Sequence, residues 1–168
     1  GDLVTARRLT AACEALMVPG FGHAVRVADD AANDLALLRL YGAHQLVAAS
    51  LAGDSQVDDL TLVGIADPRA QRGGDAVSKV TARLDGQSVT PVPPLGFSGA
   101  AAVDAQGRFA GMIELKTPSA AADSAVSRQA ALVPASTVRA FLTAHRVTPE
   151  SGNGAIERSV VRVICVRK

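Results

Sequence analysis

Eight runs of strand length recur along this chain, each wholly apolar or alternating apolar with polar, and each set off by Gly, Pro or Asp. They are Leu3 to Ala6, His23 to Ala28, Leu35 to Leu40, Leu60 to Ile65, Ala76 to Leu84, Ala100 to Val103, Phe109 to Leu115 and Ala130 to Val133. Short strands at such spacing predict a barrel or sandwich, an all-β architecture. Apolar residues make up 48% of the chain but aromatics only 3%, with no Trp, so Ala, Val and Leu must fill the core. At 168 residues the chain fits one domain or two small subdomains that bury most of their surface.

Helical spacing is confined to two places. Leu9 to Leu16 reads as a short helix, and Ser136 to His145 follows Pro134 with Val138, Phe141 and Leu142 on one face. Gly42 to Gly53 reads as a link between two halves, and Lys116 to Arg128, rich in Ala, Ser and Asp, as a loop. The tail crosses the polar stretch Pro149-Glu150-Ser151-Gly152-Asn153-Gly154 and enters Ser159 to Val166, a strand pattern. A lone apolar edge strand would aggregate, so this one is expected to add to the N-terminal half, which brings Cys165 toward Cys13. From spacing alone the two cysteines fit free buried thiols and a single disulfide closing a long loop equally well.

Seventeen basic against sixteen acidic residues leave a formal charge of +1, without a cluster dense enough to grip a phosphate backbone. Nucleic acid is therefore not an expected partner. No run reaches the roughly 18 apolar residues of a membrane-spanning helix. No metal-ligand set or cofactor motif is present, and Gly73-Gly74 and Gly152-Asn153-Gly154 read as turns rather than phosphate cradles. Gly1-Asp2-Leu3-Val4 opens directly on a strand and reads as the interior of a fold, with sequence expected upstream.

The chemistry concentrates at Gly96-Phe97-Ser98-Gly99, a serine bracketed by glycines just before the apolar run from Ala100. Glycines let successive amides converge on a developing oxyanion, and a serine there can act as nucleophile if a base takes its proton. Three blocks in this order resemble the trypsin-like serine proteases of the HtrA type. Asp30-Ala31-Ala32-Asn33-Asp34-Leu35-Ala36-Leu37-Leu38-Arg39-Leu40 is similar to the block that holds the triad aspartate, which puts Asp34 in that role. Gly96-Phe97-Ser98-Gly99, with the Gly111-Met112-Ile113 strand after it, is similar to the nucleophile turn and pocket strand, with Ser98 as nucleophile and the Gly96 and Ser98 amides as oxyanion hole. Ala131-Leu132-Val133-Pro134-Ala135-Ser136-Thr137-Val138 is similar to the strand and helix that close the second barrel.

A fourth block departs from the pattern. In Leu3-Val4-Thr5-Ala6-Arg7-Arg8-Leu9-Thr10-Ala11-Ala12-Cys13 the family places its histidine where Arg8 stands. Arginine stays protonated and cannot accept the serine proton. A salt bridge from Arg8 to Asp34 is the expected replacement. His23, His44 and His145 lack the family's placement and read as packing or surface residues.

The resemblance implies an all-β fold of two six-stranded antiparallel β-barrels, with a C-terminal helix and a final strand. It divides the chain into 1–45, an incomplete N-terminal barrel without its first strands; 46–146, a C-terminal barrel with its closing helix; and 147–168, a linker and strand packing on the first barrel. The function it implies is a pseudoprotease that needs no cofactor and no metal and binds a protein or extended peptide, or serves as part of a larger complex. The alternative is an active serine endopeptidase that uses Ser98 and Asp34 with a base supplied from elsewhere. Relatives of this type are mostly exported, which implies a periplasmic or secreted location, and a Cys13–Cys165 disulfide would agree with it.

Overall fold

The strand Leu35–Leu40 (β4) reads LALLRL without alternation because it is buried on both faces. Leu38 and Leu40 pack into a core with Leu16, Val18 and Ala24. Leu35 and Leu37 turn the other way, onto Met112, Val133, Val138 and Phe141. One strand thus belongs to two cores, and the molecule forms two lobes around it.

A computed structural model describes residues 1–53, 57–66, 76–116, 128–149, 151–152 and 155–167. The remaining strands are Asp2–Ala6 (β1), Ala15–Val18 (β2), Gly22–Asp30 (β3), Asp59–Gly64 (β5), Ser78–Asp85 (β6), Ser88–Thr90 (β7), Ala101–Val103 (β8), Phe109–Lys116 (β9), Gln129–Pro134 (β10) and Ile164–Val166 (β11). The helices are Arg7–Thr10 (α1) and Ala135–Ala144 (α2). Most of the loop expected over Lys116 to Arg128, the Gly73-Gly74 turn and part of the tail linker lie outside the described residues.

The second lobe is a closed six-stranded barrel in the order β10-β7-β6-β5-β8-β9, filled by Leu60, Leu62, Val89, Phe97, Ile113 and Leu132 among others. The first lobe differs from the expected six-stranded barrel. Its described strands form a five-stranded sheet in the order β1-β4-β3-β2-β11, with β1 and β11 at the edges, and no described strand bridges them. The architecture is mostly β with a C-terminal helix, as read, but only one of the two expected cylinders is closed.

Helix α2 buries Val138, Phe141 and Leu142 against the shared core, the face its spacing predicts. The helix expected over Leu9 to Leu16 is cut short. It spans only Arg7–Thr10, and residues 15–18 become β2, because Leu16 pairs with both Ala24 of β3 and Cys165 of β11. Long-range pairing overrides the local preference here. The three-residue β7 has too short a pattern to stand out, although Val89 is buried within it. In the tail, Ile156–Arg158 forms a turn of 3₁₀-helix, and only Ile164–Val166 joins the sheet.

Cys13 and Cys165 are joined in a disulfide, with their Cα atoms 5.2 Å apart. The bridge fastens the exit of α1 to β11, beside the Glu14 amide donating to the Val166 carbonyl at 2.9 Å. No helix among the described residues is long and apolar enough to cross a membrane. Because the bridge spans 152 residues of sequence, removing it frees a long loop in the unfolded chain. The Cys13→Ser, Cys165→Ser double variant is expected to lose roughly 2–5 kcal/mol of stability and to melt about 5–15 °C lower, as read by thermal unfolding with and without reductant.

Candidate active site

Four segments from both lobes meet at the mouth of the shared core. The β1–α1 junction brings Arg8, the turn between β3 and β4 brings Asp34, the 3₁₀ turn Leu95–Phe97 brings Ser98, and β9 brings Glu114.

Asp34 is held by the start of α1. Its carbonyl accepts from the Arg7 amide at 2.9 Å and its Oδ1 accepts from the Arg8 amide at 2.8 Å. These amides belong to the first turn of the helix, where N–H groups have no partner within the helix, so Asp34 caps a helix remote in sequence. Its φ of 51° is unusual for a residue other than glycine and is tolerated best by Asp and Asn. The preceding turn is shaped by Asp30, whose carboxylate accepts from the Ala32 amide at 2.9 Å and from Asn33 Nδ2 at 2.6 Å. The Asn33 side chain and these amides hold the Asp30 carboxyl below its ordinary value of 3.8. Its contribution to stability is therefore present above the ordinary carboxyl range and lost as pH falls through the lowered value.

Arg8 occupies the centre. Its Nη2 donates to Ser98 Oγ at 3.2 Å, and its Nη1 lies 3.4 Å from Asp34 Oδ2 and 3.4 Å from Glu114 Oε1. Lys116 adds a second cation 3.6 Å from Glu114 Oε2. The pairing with Asp34 is an ion pair without hydrogen-bond geometry, and Asp34 Oδ2 is buried with no hydrogen bond from any described group. Glu114 is the residue sequence reasoning did not assign. The available signal was an acidic side chain on an apolar strand, in alternation with Met112 and therefore on its face.

The serine turn does not present the expected pair of amides. The Ser98 N–H donates to the Leu95 carbonyl at 3.2 Å, completing the 3₁₀ turn that contains Gly96. An oxyanion at this position would have to break that bond, so the site expected at Gly96 and Ser98 is closed at Ser98. Gly99 follows at φ +82°, and a Cβ there would stand 2.9 Å from Thr5 Oγ1, so the turn packs directly on β1. Met112 is buried in the shared core and borders the cavity between the lobes.

None of the three histidines hydrogen-bonds Ser98. His145 stacks edge-on against Phe141, His23 is exposed on β3, and His44 borders a cavity between the lobes. Among the described residues no group of three or more His, Cys, Asp or Glu is arranged to hold a metal ion. What the arrangement offers chemically is a hydroxyl that accepts from a cation, with two carboxylates neutralising that cation.

No protein-family model and no curated protein matches the sequence. Among solved structures the chain is similar to the MamO protease domain from Magnetospirillum magneticum, at TM-score 0.63 and 16% identity over 84% of this chain and 82% of that one. It is also similar to the Rv3671c protease in an inactive form, at TM-score 0.60 and 18% identity over 85% of this chain and 78% of that one. These likenesses show that the chain has the trypsin-like protease fold.

The side chains of Arg8, Asp34 and Glu114 are 35%, 13% and 20% exposed, between the surface and buried cases. Replacing Arg8 by Met leaves two partly buried carboxylates without this cation and is expected to cost about 1–3 kcal/mol in denaturant unfolding at neutral pH. The Gly99→Ala variant combines a left-handed φ with the approach to Thr5 and is expected to destabilise by about 1–3 kcal/mol in the same measurement.

Proposed function

We propose that this domain is a catalytically silent protease-fold module that binds extended peptide or protein segments. The observation that carries the reading is the Arg8 guanidinium hydrogen-bonded to Ser98 Oγ, at the place where a serine protease needs a base. A guanidinium has five donors and no acceptor, so the serine proton has nowhere to go along this contact. In subtilisin, a protease on another fold, loss of the catalytic histidine lowers turnover by about 10⁶-fold.

Two further features support the reading. The Ser98 amide is spent on Leu95, which removes a donor that acyl transfer would use. Asp34 Oδ2 is buried beside Arg8 with an unused acceptor, the geometry left when a donor that once hydrogen-bonded a carboxylate is replaced by one that only pairs with its charge. Descent from an active triad accounts for that orphaned oxygen. With hydrolysis silenced, the fold retains an open five-stranded sheet, and strand addition is the mode by which sheet edges hold peptides. The disulfide fits an oxidising compartment, which supports a periplasmic or secreted location.

A fluorophosphonate probe tests this directly. Wild-type Ser98 is expected to label about 10⁵-fold or more slowly than a serine with an intact base. Labelling that appears only in Arg8→His assigns the silence to Arg8, whereas stoichiometric labelling of the wild type, abolished in Ser98→Ala, overturns the reading.

A further inference from the structure

Pro91-Val92-Pro93-Pro94 joins β7 to the turn that carries Ser98, and its sequence dictates its shape. A proline fixes its own φ and holds the residue before it extended, so the run from Val92 to Pro94 takes up polyproline II geometry. Pro94 shows it directly, at φ −56° and ψ 158°. Such a chain turns once every three residues, which divides the segment into three edges. Pro93 faces the barrel and is buried. Val92 and Leu95, three apart, form an edge that is 38% and 61% exposed, and Pro91 and Pro94 form another exposed edge. Among the described large apolar residues only Tyr41 is more exposed than Leu95.

The ridge is held at both ends. Thr90 pairs with Arg83 of β6 on one side, and on the other the Phe97 amide donates to the Pro94 carbonyl at 3.0 Å, with Phe97 itself fully buried in the barrel. A segment fixed in this way loses little freedom when a partner grips it. A cation stands at its start. Arg83 and Pro91 border the same depression, of about 750 Å³. The Arg83 side chain is 79% exposed, and its pair with Asp59, 3.3 Å apart, is a surface pair with Asp59 83% exposed. Pairs of that kind contribute little, so a carboxylate from outside can compete for the guanidinium.

We propose that the ridge from Pro91 to Leu95 is a docking element that inserts into an aromatic-lined groove, rimmed by carboxylates, on a different protein. The inference goes beyond the binding-module reading, because here the domain is the ligand, and it stands whether or not Ser98 is silent. Pro91, Pro93 and Pro94 have no N–H, so the segment cannot be read by strand addition. Aromatic grooves are the surfaces that take preformed polyproline II segments, stacking on proline rings and aliphatic side chains. The partner is not a second copy. This chain has no Trp and a single Tyr, and none of its four Phe residues is exposed, so it has no rings with which to line such a groove. Carboxylates on the rim answer Arg83.

The probe is an isolated SH3 domain chosen with Trp in its aromatic groove and acidic residues beside it, titrated with the full chain. Because the chain has no Trp, emission from the probe reports docking without background. A saturable shift in that emission is the expected result, and Pro94→Ala and Leu95→Ser are each expected to weaken docking about tenfold or more. Val25→Ser, on β3 at a site 51% exposed, is expected to leave it unchanged. Added salt is expected to weaken docking, and Arg83→Ala to remove that dependence. The absence of a saturable shift, or an equal loss in Val25→Ser and Leu95→Ser, overturns the docking element. If Pro94→Ala disturbs the turn, Leu95→Ser, altered only at an exposed side chain, still decides. Undiminished salt dependence in Arg83→Ala overturns the carboxylate rim.

Discussion

The two lobes are joined through a strand that neither could release. Leu35 and Leu37 of β4 complete the core under α2, while Leu38 and Leu40 complete the core of the first sheet, and all four are essentially inaccessible to solvent. Fully burying each Leu side chain stabilises by about 1.5–3 kcal/mol, so this one strand holds the lobes in a fixed relation. The consequence reaches the site. Asp34 immediately precedes β4, Arg8 follows β1, which pairs with β4 along its length, and Ser98 and Glu114 come from the lobe on the other side of the shared core. Their meeting within hydrogen-bond reach follows from how β4 is packed.

Once those four residues are brought together, electrostatics decides what they do. A neutral imidazole between Asp34 and Ser98 could accept a proton from one and be steadied by the other. The guanidinium that stands there carries its charge permanently and needs counter-charge, which Asp34 and Glu114 supply. General-base chemistry depends on a group that changes protonation state, and a guanidinium does not. The turn at Ser98 is bonded as well, its amide satisfied by the Leu95 carbonyl.

How much of this could be read from the chain alone depended on the range of the interactions. Strands with clear alternation or sharp punctuation, such as Leu35 to Leu40 and Phe109 to Leu115, lie within a residue of the observed β4 and β9, because their burial pattern is written locally. So is the face of α2. The sheet at residues 15–18 was not legible, since those residues become a strand only through partners near 24 and 165. At the site, the ordered motifs placed Arg8, Asp34 and Ser98, but Glu114 lies 106 residues from Arg8 and carries no motif. The inward Ser98 amide was equally hidden, because a Gly-x-Ser-Gly turn permits both an open and a closed backbone.

At the cleft, charges are paired and the Ser98 amide is bonded, so a ligand entering there would have to displace existing interactions before gaining its own.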